Sequence, residues 1–185
     1  MKSLSSRVQT VAVVLIGFTM WVQGCSLSEL PDLGRIDVDS RAVIKANDET
    51  VGDILAAFHR GEAALHARDL DALMQLYAQD YHYRDLTKGD VRKIWENLFA
   101  HYSQISSTHV FSKIVADGRK PSTAMITCTG RLWGTSKESG ERVILDSWFF
   151  EVHHLVSDDG TWRVHGIPGE PPDTLGIPVT PHPFF

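Results

Sequence analysis

The chain has 185 residues, of which 43% are hydrophobic and 22% are charged. This is the composition of one ordinary globular domain with short extensions, and it excludes a collagen-like, disordered or multi-pass membrane protein. The formal net charge is -5. Because nucleic acids are bound by basic surfaces, no nucleic-acid partner is expected.

The first 24 residues have the pattern of an export signal. Lys2 and Arg7 precede an uncharged stretch that runs to residue 24, as in secretory signal peptides. The stretch ends in the letters VQGC, which resemble the bacterial lipobox, whose cysteine becomes diacylated. We therefore predict a signal peptide over 1–24 and lipidation of Cys25, palmitate included. The alternative is an uncleaved segment that tethers the protein to the membrane.

Three ranges follow the signal. Residues 25–47 show no sustained hydrophobic period and contain Pro31 and Gly34, so we predict a lipidated tether. Residues 48–167 are predicted to form a single folded domain. Residues 168–185 hold six of the eight prolines, which predicts an extended C-terminal tail. Ser26 resembles the sorting signal for the outer membrane, so we expect the protein at the periplasmic face of that membrane in the bacterial cell envelope.

Three helices are predicted in the first half of the domain. A capping-box pattern at Thr50 precedes a helix that runs to about Ala67. Asp69 is expected to cap a second, shorter helix, and another capping box at Thr87 begins the third. Between them, Tyr81–Asp85 has the aromatic composition of a strand.

The hydrophobic period changes to two from residue 109 onward. Turn signals such as Asp117-Gly118 separate the alternating segments, which predicts long strands connected by hairpins. Helices followed by antiparallel strands predict an α+β domain in which the helices cover one face of a strongly curved sheet. The strands are predicted over residues 109–115, 123–133, 143–156 and 161–167.

Two segments carry a family resemblance. The first is ARDLDALMQLYAQD, from Ala67 to Asp80, which follows the first predicted helix. The second is DDGTWRV, from Asp158 to Val164, at the end of the predicted antiparallel strands. Over Thr50 to Gly166 the chain resembles the nuclear transport factor 2-like superfamily, most of all its SnoaL-like and ketosteroid isomerase-like branches. The resemblance implies a cone-shaped fold that serves isomerases, dehydratases, binding proteins and association domains.

The ketosteroid isomerases also suggest catalytic positions. Their carbon acid chemistry needs a carboxylate base and an oxyanion hole of a tyrosine and a protonated acid. The resemblance implies Asp85 as the base, but Gly61 stands where those enzymes have the tyrosine. The second acid falls on Val152, although a β-bulge would place Glu151 or His153 there instead. The oxyanion hole is therefore incomplete, which argues against steroid isomerisation.

The predicted site is a pocket beneath the helices. It would take a small, largely apolar molecule, without a cofactor or metal. If the large side chains of Phe58, Trp95, Trp148 and Phe150 fill this pocket instead, the domain is a purely structural dimerisation module. The pocket residues are predicted to be Phe58, Tyr83, Asp85, Trp95, Trp148 and Phe150.

Histidine and cysteine spacing favours structural roles. His153 and His154 are adjacent and point to opposite faces of a strand, so they do not form a metal site. Cys128 lies in a predicted strand among Ile126, Thr127 and Thr129 and is expected to be a small buried hydrophobe. Trp133 is expected on the outer, partner-facing side of the sheet.

These observations favour a non-catalytic role. The leading prediction is an exported, lipid-anchored protein whose domain binds a small apolar ligand or a protein partner, with a homodimer through the exposed sheet face. The alternative is a cofactor-free lyase or isomerase with Asp85 as general base.

Overall fold

A curled five-stranded sheet covered by three helices forms the fold in the computed structural model, which describes residues 34–83, 85–117, 122–157 and 159–166. This confirms the predicted α+β class. The elements in chain order are β1 (Ile36–Lys45), α1 (Asp48–Ala67), α2 (Leu70–Leu73), β2 (His82–Tyr83), β3 (Leu86–Thr87), α3 (Lys88–His101), β4 (Tyr102–Asp117), β5 (Ser122–Ser136), β6 (Arg142–Ser157) and β7 (Arg163–Val164).

The large sheet has the strand order β1-β4-β5-β6-β7, and β2 pairs only with β3. β1 runs parallel to β4, whereas the other neighbours are antiparallel. β4, β5 and β6 have 16, 15 and 16 residues, and strands of this length twist strongly. The helices cover the concave face, so the opposite face of the sheet remains open.

Strand β1 lies inside the range 25–47 that was expected to be a tether. Its start pairs Ile36 with His109, and after a shift of register its end pairs Lys45 with Val115. Ile36 is buried at 7% exposure, whereas most of the strand is half-buried or exposed, as at a sheet edge. The strand was missed because an exposed edge strand shows little hydrophobic period. Residues 35–45 therefore belong to the folded domain.

Local capping signals explain the helix boundaries. Asn47 caps α1 by accepting a hydrogen bond from the Thr50 amide at 2.7 Å, so the helix begins before the predicted Thr50. Asp69 caps α2 through the Ala72 amide, as predicted. Thr87 and Asp90 form the predicted capping box of α3. These bonds satisfy amide groups that the first helical turn leaves without partners.

A β-bulge reverses the face alternation of β6. Trp148 pairs with Gly130 and Glu151 with Cys128, so both Phe149 and Phe150 lie opposite Thr129 alone. Phe150 has φ +55°, and its amide donates to the Thr129 hydroxyl at 3.1 Å. Because the bulge adds one residue, the buried positions change from Trp148 before it to His153 and Leu155 after it.

The predicted signal peptide, Cys25 and the C-terminal tail lie outside the described residues. In the part of the chain that the structure describes, no helix is long and apolar enough to cross a membrane.

Candidate functional site

Aromatic rings fill the space between α1 and the concave face of the sheet. The Phe58 ring centroid lies 5.1 Å from those of His109 and Phe111, and His109 lies 5.1 Å from Trp148. All four side chains are exposed by 3% or less. Edge-on and tilted contacts at these distances are favourable ring geometries. The position expected to hold a ligand is therefore occupied by the protein's own side chains.

A chain of hydrogen bonds runs through this packed interior. Trp148 Nε1 donates to Cys128 Sγ at 3.4 Å, and Cys128 Sγ lies 3.5 Å from His109 Nδ1. His109 Nε2 lies 3.2 Å from the Ser107 hydroxyl, which donates to the Glu62 carboxylate. Because that hydroxyl donates its proton to Glu62, it accepts from His109 Nε2–H. His109 Nδ1 then carries no proton and is an acceptor for the Cys128 thiol, which also lies 3.6 Å from the Thr129 carbonyl.

The Glu62 carboxylate is the last acceptor in this series of hydrogen bonds, and its residue is only 6% exposed. It accepts from the Ser106 hydroxyl at 2.7 Å and from the Ser107 amide at 3.0 Å. His66, one helical turn later, places Nε2 3.0 Å from Glu62 Oε1. A buried carboxylate is tolerated when donors surround it in this way. Glu62 thus attaches α1 to the start of β4.

Burial governs protonation in this interior. Desolvation, with a smaller repulsion from His153, lowers the pKa of His109 well below its ordinary value. Burial raises the pKa of the Cys128 thiol to about 12, against the opposing hydrogen bond from Trp148. Both groups are therefore neutral near pH 7, and the thiol is no activated nucleophile.

Four of the six predicted pocket residues lie in the core: Phe58, Tyr83, Trp95 and Trp148 are exposed by 7% or less. The other two lie elsewhere. Asp85 is exposed in the turn between β2 and β3. Phe150 is 70% exposed on the outer face, because the β6 bulge turns it away from Trp148.

The positions compared with the isomerases have no matching donors. A Cβ at Gly61 would lie only 3.0 Å from Leu76 Cδ2, so the backbone there packs directly against a neighbour. Val152 is 38% exposed, and the bulge brings His153 to the inside at 1% exposure. His153, and not an acid, thus lies where the isomerases have the protonated acid of the oxyanion hole. The role suggested for Asp85 stays a prediction.

The cavities found among the described residues lie near the surface. The first, of about 550 Å³, lies between α1, α2 and residues 161–163. The second, of about 530 Å³, lies between residues 79–82 and the start of α3. None of the five described cavities is lined by Phe58, Trp95 or Trp148.

The open face of the sheet carries exposed apolar side chains. Phe149 and Phe150 are 63% and 70% exposed, and Phe149 lines a depression of about 260 Å³ together with Trp133 and Arg131. Trp133 thus lies on the outer side of the sheet, as expected. Isolated exposed hydrophobes are ordinary, but an adjacent pair of exposed rings is typical of an interaction surface. The apolar residues exposed by more than a third on β5 and β6 are Met125, Ile144, Phe149, Phe150 and Val152.

Sequence reasoning missed the buried polar chain. Glu62 follows Phe58 by four residues and precedes Leu65 by three, so helical spacing alone places it on the buried face. Cys128 is buried as expected, but its partner His109 comes from a strand 19 residues away in sequence. Over the described ranges, no group of three or more His, Cys, Asp or Glu side chains is arranged to hold a metal ion.

Comparison with known proteins identifies the fold. No protein-family model and no curated protein sequence matches the chain. Aln2 from Streptomyces is similar in structure, with a TM-score of 0.51 and 12% identity over 66% of this chain and 90% of that one. A conserved protein from Planctomyces limnophilus gives a TM-score of 0.52 and 16% identity over 65% and 94% of the two chains.

A ketosteroid isomerase-like protein from Erwinia carotovora atroseptica gives a TM-score of 0.48 and 16% identity over 65% of this chain and 94% of that one. The described chain has the cone-shaped nuclear transport factor 2-like fold, in which three helices lie on a curled, mainly antiparallel sheet. At such identities the likeness concerns the fold and not the activity.

Proposed function

We propose that this chain is an exported, lipid-anchored protein of the bacterial cell envelope that works by docking rather than by catalysis. Its domain binds a second copy of itself through the open face of the sheet. The observation that carries the proposal is the exposed pair Phe149 and Phe150 at the β6 bulge. The packed interior adds support, because none of the five cavities described among these residues is lined by Trp148.

Physical cost favours a partner for this face. Phe150 has a positive φ of 55°, a conformation that costs a residue with a side chain about 1–2 kcal/mol. Burying an exposed phenylalanine contributes about 1.5–3 kcal/mol. The strained bulge is therefore explained if the two rings are buried against a neighbouring molecule.

The oligomeric state of the full chain in detergent tests this proposal. Analytical ultracentrifugation is expected to show a dimer, and Phe150→Ser is expected to shift it toward monomer. Val43→Ser, which removes a 51% exposed apolar side chain from edge strand β1, is the matched control. A monomeric wild-type chain, or a dimer that Phe150→Ser leaves intact, would overturn the docking face.

The anchor is tested separately. Metabolic labelling with radioactive palmitate in a bacterial host is expected to label the full chain. Cys25→Ser is expected to abolish both the label and processing before residue 25. Labelling that persists in this variant would contradict lipidation at Cys25.

A further inference from the structure

A cavity separate from the sheet face has unsatisfied polar groups. It lies between residues 79–82 and the N-terminus of α3, with a volume of about 530 Å³. Tyr81 and His82 both line it. Among the described residues, neither the Tyr81 hydroxyl nor His82 Nδ1 has a hydrogen-bond partner, and both atoms are buried. Buried polar atoms are almost always paired, so two unpaired polar atoms on residues that line one cavity favour an occupant there.

Tyr81 is the more demanding of the two. It is 3% exposed, and its ring packs edge-on against Tyr77 at 5.4 Å, which holds the side chain in place. Burial, followed by repulsion from Tyr83, raises the pKa of the Tyr81 phenol. The hydroxyl therefore keeps its proton at neutral pH and is available as a donor.

The same cavity contains a cation without a carboxylate partner. Lys88, the first residue of α3, donates from Nζ to the Tyr77 carbonyl at 2.8 Å, and among the described residues its ammonium has no ion pair. Desolvation, with the nearby Arg163, lowers the pKa of Lys88. An anion beside this ammonium would be stabilised by its charge and by the N-terminal end of the helix.

The charges around the cavity favour a single negative charge on the occupant. Arg92 also lines the cavity, but it is already paired with Asp71 at 2.6 Å and Glu96 at 3.3 Å. Asp80 lies at the rim with an exposed carboxylate. The Lys88 ammonium, with the negative charge of Asp80 nearby, suits a monoanion better than a phosphate dianion. The 3% exposed Met74 gives the wall an apolar part.

We propose that this cavity binds a small organic carboxylate. The carboxylate accepts hydrogen bonds from Lys88 Nζ and the Tyr81 hydroxyl, and the apolar body of the molecule packs against Met74. This site is distinct from the docking face on the sheet, so either proposal can fail without the other.

Calorimetric titration of the full chain in detergent with benzoate tests the site, with detergent alone as the blank. One saturable site with a Kd of about 1 mM is expected for a ligand of this size. Benzamide, which has the same shape without the charge, is expected to bind at least tenfold more weakly. Absence of saturation at about ten times that concentration, or equal binding of benzamide, would overturn the proposal.

Two variants locate the binding. Lys88→Gln and Tyr81→Phe are each expected to weaken benzoate binding about tenfold, because each removes one hydrogen bond to a charged group. Lys113→Gln makes the same charge change at an exposed position on β4 and is expected to bind as the wild type does. Tyr81→Phe keeps the ring and removes only the unpaired hydroxyl, so it is expected to fold. Wild-type binding in Tyr81→Phe and Lys88→Gln would refute the site.

Discussion

The Glu62 carboxylate offers a direct measure of what the buried polar chain contributes to stability. It accepts hydrogen bonds from the Ser106 hydroxyl and from both the amide and the hydroxyl of Ser107. Glu62→Ala leaves these three donors buried without an acceptor. An unsatisfied buried donor costs about 1–3 kcal/mol, and part of that cost is recovered by water entering the space. We therefore expect the free energy of unfolding to fall by about 3–5 kcal/mol.

The measurement is urea unfolding of the full chain in detergent, monitored by tryptophan fluorescence. Glu96→Ala is the control, because Glu96 is exposed on α3 and pairs with Arg92 only at the surface. That variant is expected to change the free energy by less than about 0.5 kcal/mol. Since the total stability of a domain is about 5–15 kcal/mol, Glu62→Ala is expected to remain folded or nearly so.

Glu62→Gln provides a milder test in case the alanine variant does not fold. It retains one acceptor oxygen but turns an amide donor toward groups that are themselves donors. We expect a loss of about 1–3 kcal/mol. A loss below about 1 kcal/mol in Glu62→Ala would refute the reasoning, because it would mean that the buried donors find other partners.

Three further predictions concern the same interior and the bulge. Because the pKa of His109 is lowered in the folded state, the unfolded chain binds a proton that the folded chain does not. Stability is therefore expected to fall as the pH drops below about 6.5, by up to about 1.4 kcal/mol per pH unit. Urea titrations at several pH values measure this, and an unchanged slope in His109→Gln would contradict it. Cys128 is 0% exposed with a pKa raised to about 12, so iodoacetamide is expected to label its peptide only in urea. Mass spectrometry of the native protein would disprove this if Cys128 were labelled as fast as in urea. Phe150→Gly removes the strain of a positive φ and is expected to leave the monomer as stable or up to about 1 kcal/mol more stable. A clear drop in the unfolding midpoint of the dilute protein would count against it.

Features written in neighbouring residues could be predicted from the sequence. The cap of α3 depends on Thr87 and Asp90, three positions apart, and the cap of α2 depends on Asp69 and Ala72. Alternation over long segments likewise predicted β4 to β6. Such signals act within one helical turn or along one strand, so no knowledge of the tertiary structure is needed.

Features that depend on distant partners could not be predicted. β1 is stabilised by pairing with β4 residues that come about 70 positions later, as Lys45 does with Val115, and its own alternation is weak. The bulge at Phe149 and Phe150 exists only in relation to Thr129 on the neighbouring strand. The continuous alternation of β6 therefore predicted Trp148 and Phe150 on one face, whereas the extra residue separates them.

The number of residues at the β6 bulge also determines which side chains of the rest of β6 lie on each face of the sheet. Beyond it, His153 and Leu155 point inward, and Val152 is exposed. Deleting a single residue at the bulge would restore simple alternation there. The inward-pointing and outward-pointing side chains would then exchange faces along the rest of the strand. A length change of one residue would thus rewrite the core and the proposed docking face together. Substitutions can tune either face, but an insertion or deletion here alters both at once.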